Sequence, residues 1–278
     1  MKVIDGKAIA ASLRAELKEK IAKLNTKPGL AVIIVGEDPA SKIYVRNKIK
    51  ACAELGICSY SYELPQETTQ NELERLLDKL AHDAQVDGIL LQMPLPKHLN
   101  PEAASAHIPF EKDVDGFSAR NLGLLMQGKA AVAACTPLGV MKLLEYEGVD
   151  LTGKHAVVLG RSETVGKPMA MLLLNANATV TICHSKTRNL KELCLQADIL
   201  ISAVGKSKFV TADMVKEGAA VIDVGMNRDE SGKLCGDVDF EAVKEKTSYI
   251  TPVPGGVGPM TITMLMYNTY TRFKANKE

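Results

Sequence analysis

The most constraining feature of this chain is an alternation, run twice, of short uninterrupted apolar stretches with helical segments. Leu30-Ala31-Val32-Ile33-Ile34-Val35 follows Pro28-Gly29 and has strand length. An unbroken run of this kind suits a parallel strand covered on both faces. Ahead of it, Ile9, Leu13, Leu17, Ile21 and Leu24 line one face of a helix. After it, a helix is expected over about 41–55 with Gly56 as its stop, then a strand over 58–64. Thr69-Gln70-Asn71-Glu72 reads as a capping box opening a helix that carries Leu73, Leu76, Leu77 and Leu80. Asp87-Gly88 leads into a strand over 89–93, closed by Pro94-Leu95-Pro96.

Residues 97–135 are less regular, and Thr136-Pro137 reads as a cap followed by proline at the first helical position. From 154 the alternation restarts, with strands expected over 155–159, 178–183, 198–204, 219–224 and 248–251. Helices fit near 165–174, 190–197, 211–216 and 239–246, and a last one from 259 to about 274. The expectation is an α/β chain of two domains with a cleft between them, the second a doubly wound parallel sheet. The boundary is expected within 118–140.

Composition removes several functions. Over 278 residues, 34 Lys+Arg meet 33 Asp+Glu for a formal net charge of +1, which leaves no electrostatic footprint for nucleic acid or an anionic membrane. Tryptophan is absent, and seven Tyr with five Phe make a poor base-stacking surface. No stretch approaches the length of an apolar spanning helix, and the first residues carry charge at once, so no secretory segment is expected. The six cysteines form no C-x-x-C pair, which suits reduced, mostly buried thiols in a cytoplasmic protein with no metal site.

Ala156-Val157-Val158-Leu159 runs directly into Gly160-Arg161-Ser162-Glu163-Thr164-Val165-Gly166-Lys167-Pro168. Glycines between a strand and a helix let backbone approach a pyrophosphate, whose charge a helix N-terminus favours. The loop departs from G-x-G-x-x-G, with Ser162 at the second glycine position and Val165 at the third, so an ordinary strand–helix turn stays open. The following strand ends Cys183-His184-Ser185-Lys186-Thr187-Arg188, without the acid that would bind ribose hydroxyls in an NAD site. Arg161, Ser185, Lys186 and Arg188 suit a 2′-phosphate instead, which favours NADP.

Tyr44 and Lys48, four apart, share a helix face. Gln92 stands at the C-terminal end of a buried strand, where ligands bind in open α/β sheets. Asp113-Val114-Asp115-Gly116 adds two carboxylates beside a flexible glycine. Taken singly, each also reads as a surface pair, a strand end or a turn acid. Thr251-Pro252-Val253-Pro254-Gly255-Gly256-Val257-Gly258-Pro259-Met260-Thr261 is a proline- and glycine-dense loop leading into the last helix, suited to ligand contact.

Together these segments resemble the bifunctional methylenetetrahydrofolate dehydrogenase/methenyltetrahydrofolate cyclohydrolase family. The matching stretches run in family order from Tyr44-Val45-Arg46-Asn47-Lys48 through Leu91-Gln92-Met93-Pro94-Leu95-Pro96, Lys112-Asp113-Val114-Asp115-Gly116-Phe117 and Cys135-Thr136-Pro137. They continue through the Gly160 loop, Asp223-Val224-Gly225-Met226-Asn227 and Pro252 to Pro259. The resemblance implies a folate-binding catalytic domain of residues 1–120 plus 262–278 and an NADP-binding Rossmann domain of 121–261. It also implies a homodimer in one-carbon metabolism, feeding purine biosynthesis. By position, Lys48 is the catalytic lysine with Gln92 beside it, Tyr44 stacks on the aminobenzoyl ring and Asp115 holds the pteridine. Pro254, Gly255, Gly256, Pro259 and Thr261 border the folate. Gly160, Arg161, Ser162, Gly166, Ser185 and Met226 line the NADP site. Met226 and Thr164 stand where the family more often carries isoleucine or a similar residue.

The implied chemistry asks two things of the residues. Hydride transfer from the methylene bridge needs positioning. Hydrolysis of the methenyl cation needs a proton acceptor, and an ordinary lysine is neutral in only about one molecule in 2,500 at pH 7. Burial and a cationic substrate should lower the Lys48 pKa, whereas Asp115 would raise it if close, so Asp115 is expected to face the pteridine. The competing readings are another two-domain Rossmann oxidoreductase, such as a shikimate-type dehydrogenase, and a non-catalytic folate or nucleotide sensor.

Overall fold

The computed structural model describes residues 1–277. The chain separates into two compact units, Met1–Ala11 with Thr136–Thr261, and Ser12–Cys135 with the residues from Ile262 on. Sequence reading places the divide after 120 and leaves the first residues with the catalytic part. The first eleven residues instead join the later unit, because Lys2–Val3 is a strand of its sheet.

In chain order, the elements begin with β1 (Lys2–Val3), α1 (Gly6–Ala22), β2 (Gly29–Val35), α2 (Pro39–Leu55), β3 (Cys58–Leu64), α3 (Gln70–His82) and β4 (Gly88–Leu91). Then come α4 (Pro101–Ala106), α5 (Ala119–Met126), α6 (Cys135–Tyr146), β5 (His155–Leu159), α7 (Gly166–Asn175), β6 (Thr179–Cys183), α8 (Leu190–Cys194), β7 (Ile199–Ser202) and β8 (Ala220–Asp223). A hairpin of β9 (Asn227–Arg228) and β10 (Leu234–Cys235), then α9 (Phe240–Val243), β11 (Tyr249–Ile250) and α10 (Val257–Lys277), complete the chain.

The unit centred on Ser12–Cys135 is built on a parallel three-stranded sheet ordered β3-β2-β4. Central β2 is buried at every residue, as its unbroken apolar run requires, while edge strand β3 is only partly covered. The capping box forms as expected: Thr69 accepts from the Glu72 amide while Glu72 accepts from the Thr69 amide. That start sets the phase of α3, so that Leu73, Leu77 and Leu80 land on Ala31, Ile33, Ile89 and Leu91. Burying each of those leucines is worth about 1.5–3 kcal/mol. Asp38 caps α2 ahead of Pro39, and Gly56 closes it in the left-handed conformation (φ +78°). The expected strand over 89–93 stops at Leu91. In the second half of α10, Asn268 Nδ2 donates to the Val114 and Ala133 carbonyls at 2.8 and 2.9 Å.

The other unit carries a six-stranded, wholly parallel sheet ordered β1-β11-β8-β7-β5-β6. The strand order turns at β5, which has β6 on one side and β7 on the other. That arrangement creates a switch point at the C-terminal ends of β5 and β7, the place where doubly wound sheets bind ligands. Several expected helices are shorter than read. The segment near 211–216 is one 3₁₀ turn, Ala212–Met214, and that near 239–246 is α9 followed by a 3₁₀ turn. Helix α6 begins at Cys135, which places Pro137 third in the helix instead of first.

Candidate active site

Two sets of side chains carry chemistry, one in each unit. In the first, α2 presents Lys48, and Gln92 follows β4 directly. The Gln92 amide donates to the Ile33 carbonyl at 2.8 Å, continuing the ladder past the strand, and its side-chain Nε2 donates to the Met93 carbonyl at 2.6 Å. With its nitrogen so engaged, Gln92 turns Oε1 toward Lys48, whose Nζ donates to it at 2.8 Å. Tyr44 sits one turn earlier on α2 and is 39% exposed.

Burial lowers the Lys48 pKa from its ordinary value, and the negative charge of Asp115 opposes that fall. Burial also pushes Asp115 up to about 6, with Lys48 pulling it down and Asp113 raising it further. Asp115 thus stands close enough to raise the lysine pKa, yet desolvation outweighs it. The Cys135 thiol, buried beside the same carboxylate, is pushed well above its usual value and stays protonated. This thiol is a member of the site that no spacing rule pointed to.

The paired acids divide their labour. Asp113 is a bracket: it accepts from the amides of Gly116 and Ser118 at 2.8 and 2.7 Å and from Asn121 Nδ2 at 2.8 Å. Gly116, at φ +76°, lies so close to Ala133 that a Cβ would come within 2.6 Å of its carbonyl carbon. Asp113 and Gly116 thus fix the loop that carries Asp115.

In the second unit, Gly160 ends β5 at φ +121°, and a Cβ there would sit 2.4 Å from the Ala203 oxygen. The backbones leaving β5 and β7 thus touch across the switch point. Beside them opens a pocket of about 270 Å³, lined by Gly160, Arg161, His184, Ser185, Lys206 and Phe209 among others. Arg161 and Ser185 thereby come together as sequence suggested, whereas Lys186 and Arg188 are exposed and outside the lining. Ser162 and Gly166 lie outside it too: Ser162 Oγ accepts from the Val165 and Gly166 amides at 3.1 and 3.3 Å, just ahead of α7. Met226 follows β8 and is 56% exposed, also outside that lining. Lys206 and Phe209 were not foreseen, because only the strand order brings the end of β7 beside the end of β5.

The proline–glycine loop belongs to this second unit. Gly255 holds φ +106°, its carbonyl accepts from the Lys7 amide at 3.0 Å, and Gly6 lies where a Cβ would strike the Gly256 oxygen. Pro254 is exposed and Pro259 partly so, while Thr261 Oγ1 bonds Thr136 Oγ1 at 3.0 Å. Among the described residues, no group of three or more His, Cys, Asp or Glu could hold a metal ion, and no helix is long and apolar enough to cross a membrane.

Comparison with known proteins agrees over the whole length. The tetrahydrofolate dehydrogenase/cyclohydrolase catalytic domain matches residues 4–115, and the NAD(P)-binding domain of the same family matches residues 134–277. Bifunctional protein FolD of Campylobacter curvus is 57% identical over 272 residues, 97% of this chain and 94% of its own. The crystal structure of the bifunctional enzyme FolD from Campylobacter jejuni superposes with a TM-score of 0.97 at 52% identity, covering 99% of each chain. That of the Trypanosoma brucei enzyme, complexed with NADP cofactor and inhibitor, gives 0.93 at 42%, covering 99% of this chain and 97% of its own. With the two domain models together spanning nearly the whole chain and relatives more than half identical along it, the chain belongs to the tetrahydrofolate dehydrogenase/cyclohydrolase family.

Proposed function

We propose that the chain oxidises 5,10-methylenetetrahydrofolate to the 5,10-methenyl form with NADP and hydrolyses that product to 10-formyltetrahydrofolate. The observation that carries this reading is Lys48, held at 2.8 Å by Gln92 and depressed in pKa by burial. A lysine so placed can take the proton of a water attacking the methenyl carbon, after which the ring C–N bond opens and the formyl group remains. Gln92 orients the amine without adding charge, and its own nitrogen is tied to the Met93 carbonyl so that it cannot turn away. Asp115 can accept two hydrogen bonds from the amino-oxo edge of a pterin, and Tyr44 offers a ring for stacking.

The residues at the ends of β5 and β6 fit a 2′-phosphorylated dinucleotide. Gly160 lets the backbones leaving β5 and β7 meet beside the pocket, no acid follows β6, and Arg161 with Ser185 lines the pocket. NADP, when bound, supplies the acceptor for the hydride of the one-carbon bridge. Ser162, Gly166 and Met226 as further cofactor contacts rest on the resemblance, as do Pro254, Gly255, Gly256, Pro259 and Thr261 as folate contacts. So do a homodimer, a cytoplasmic location and a role in purine biosynthesis.

The test is Lys48→Met, assayed by following methenyl formation with NADP and methenyl decay without it. Cyclohydrolase turnover should fall by about 10²-fold or more, the usual scale for losing a general base. Dehydrogenase turnover should fall much less. Equal, small losses in both would remove the lysine from the mechanism.

A further inference from the structure

Asp237 is fully buried and is the hub of five hydrogen bonds. Its Oδ2 accepts from the Val204 amide at 2.7 Å, the Gly205 amide at 3.2 Å and Ser202 Oγ at 3.2 Å. Its Oδ1 accepts from the Lys206 amide at 3.0 Å and from Asn227 Nδ2 at 2.9 Å. Three successive amides, 204 to 206, therefore turn toward one carboxylate, and Val204 and Lys206 line the pocket at the end of β5. Asn227, directly after Met226, ties the loop beyond β8 to the same group.

The surroundings are built around this carboxylate. Asp223 accepts from the amides of Asp237 and Val238 at 2.9 and 2.8 Å, holding the loop that carries Asp237. A Cβ at Gly225 would lie 2.2 Å from Asp237 Oδ1, and one at Gly236 would lie 1.8 Å from Asp223 Oδ2. Both glycines thus leave space that only the acids occupy.

We propose that Asp237 is a positioning residue for the dinucleotide: without touching it, the carboxylate holds residues 204–206 as a fixed wall of the cofactor pocket. The inference rests on the NADP reading above. A carboxylate is required because all five groups facing it donate. An asparagine would turn its NH₂ toward the Lys206 amide or toward the Val204 and Gly205 amides, leaving a buried donor without an acceptor. The pocket wall would then relax, and the effect would appear in cofactor affinity ahead of folate chemistry.

Asp237→Asn and Ser202→Ala, in the full chain, test this by direct titration with NADP and by both activities. Asp237→Asn should weaken NADP binding and raise its KM by about tenfold or more, while cyclohydrolase turnover, measured on supplied methenyltetrahydrofolate without NADP, falls far less. Ser202→Ala removes one donor of five and should weaken NADP by about two- to fourfold. NADP binding within twofold of wild type in Asp237→Asn, or loss of both activities in proportion, overturns the proposal. Should Asp237→Asn fail to fold, unchanged NADP affinity in Ser202→Ala overturns it, and weakened affinity with intact cyclohydrolase supports it. Failure of the wild-type protein to bind NADP would instead refute the functional reading on which the proposal rests.

Discussion

Replacing Asp115 by asparagine should make the free protein more stable at neutral pH, even though the residue is a proposed substrate contact. Burial pushes the Asp115 carboxyl up to about 6 from an ordinary 3.8, and that figure already includes the attraction of Lys48. A folded pKa above the unfolded one means the native state binds the proton more tightly, so stability rises as pH falls through 6 and levels off near 4. At 1.36 kcal/mol per tenfold, keeping this group ionised costs the folded state about 3 kcal/mol at pH 7, of which about 1.3 kcal/mol is recovered by pH 5. Asparagine keeps the shape and removes the ionisation. Urea unfolding of both proteins at pH 7.5, 6 and 5 should show the variant more stable by about 2–3 kcal/mol at pH 7.5, with the gap narrowing toward pH 5. Asp223, also pushed up to about 6, contributes the same slope to both proteins and cancels in the difference. A variant less stable than wild type at pH 7.5, or a gap constant with pH, would refute the reasoning.

Two further outcomes follow from the cofactor loop. Arg161→Ala should weaken NADP by about 10- to 100-fold, the usual worth of charge-assisted phosphate contacts, and leave NAD nearly unchanged, as read by KM for each cofactor. An unchanged preference would mean that the 2′-phosphate is read by other residues. Gly160→Ala places a Cβ 2.4 Å from the Ala203 oxygen at a φ of +121°, so it should lower unfolding stability by about 1–3 kcal/mol and raise the NADP KM, checked by denaturation and kinetics together.

The sequence revealed those parts of the fold whose cause is local. The all-apolar Leu30 to Val35 run forms β2, and Thr69 with Glu72 sets the first turn of α3, because each signal is complete within a few residues. Strand β1 escaped because two exposed residues, Lys2 and Val3, carry no pattern, and their pairing partner lies some 247 residues away at Tyr249 and Ile250. The site behaves the same way. Spacing brought out Tyr44 and Lys48, and a strand end brought out Gln92, but neither could tell which acid of Asp113-Val114-Asp115 brackets the loop. That distinction rests on Gly116, Ser118 and Asn121 donating to one carboxylate and not the other. Asp237 was invisible for the same reason: its five donors come from two chain segments, residues 202–206 and Asn227, both distant from it in sequence.

The departure of the glycine loop from the common dinucleotide fingerprint also has a geometric account. The packing task of the third glycine passes to Gly166, one residue later, where a Cβ would lie 2.2 Å from the Gly160 oxygen. That shift leaves Ser162 free to replace the second glycine. Its hydroxyl oxygen accepts from two amides at the start of α7, Val165 and Gly166, which no earlier helical carbonyl serves. An oxygen accepting two amide protons is polarised, and its own proton becomes a stronger donor toward an anion. A loop that matches the glycine pattern poorly still keeps the close strand–helix approach for which its third glycine stands.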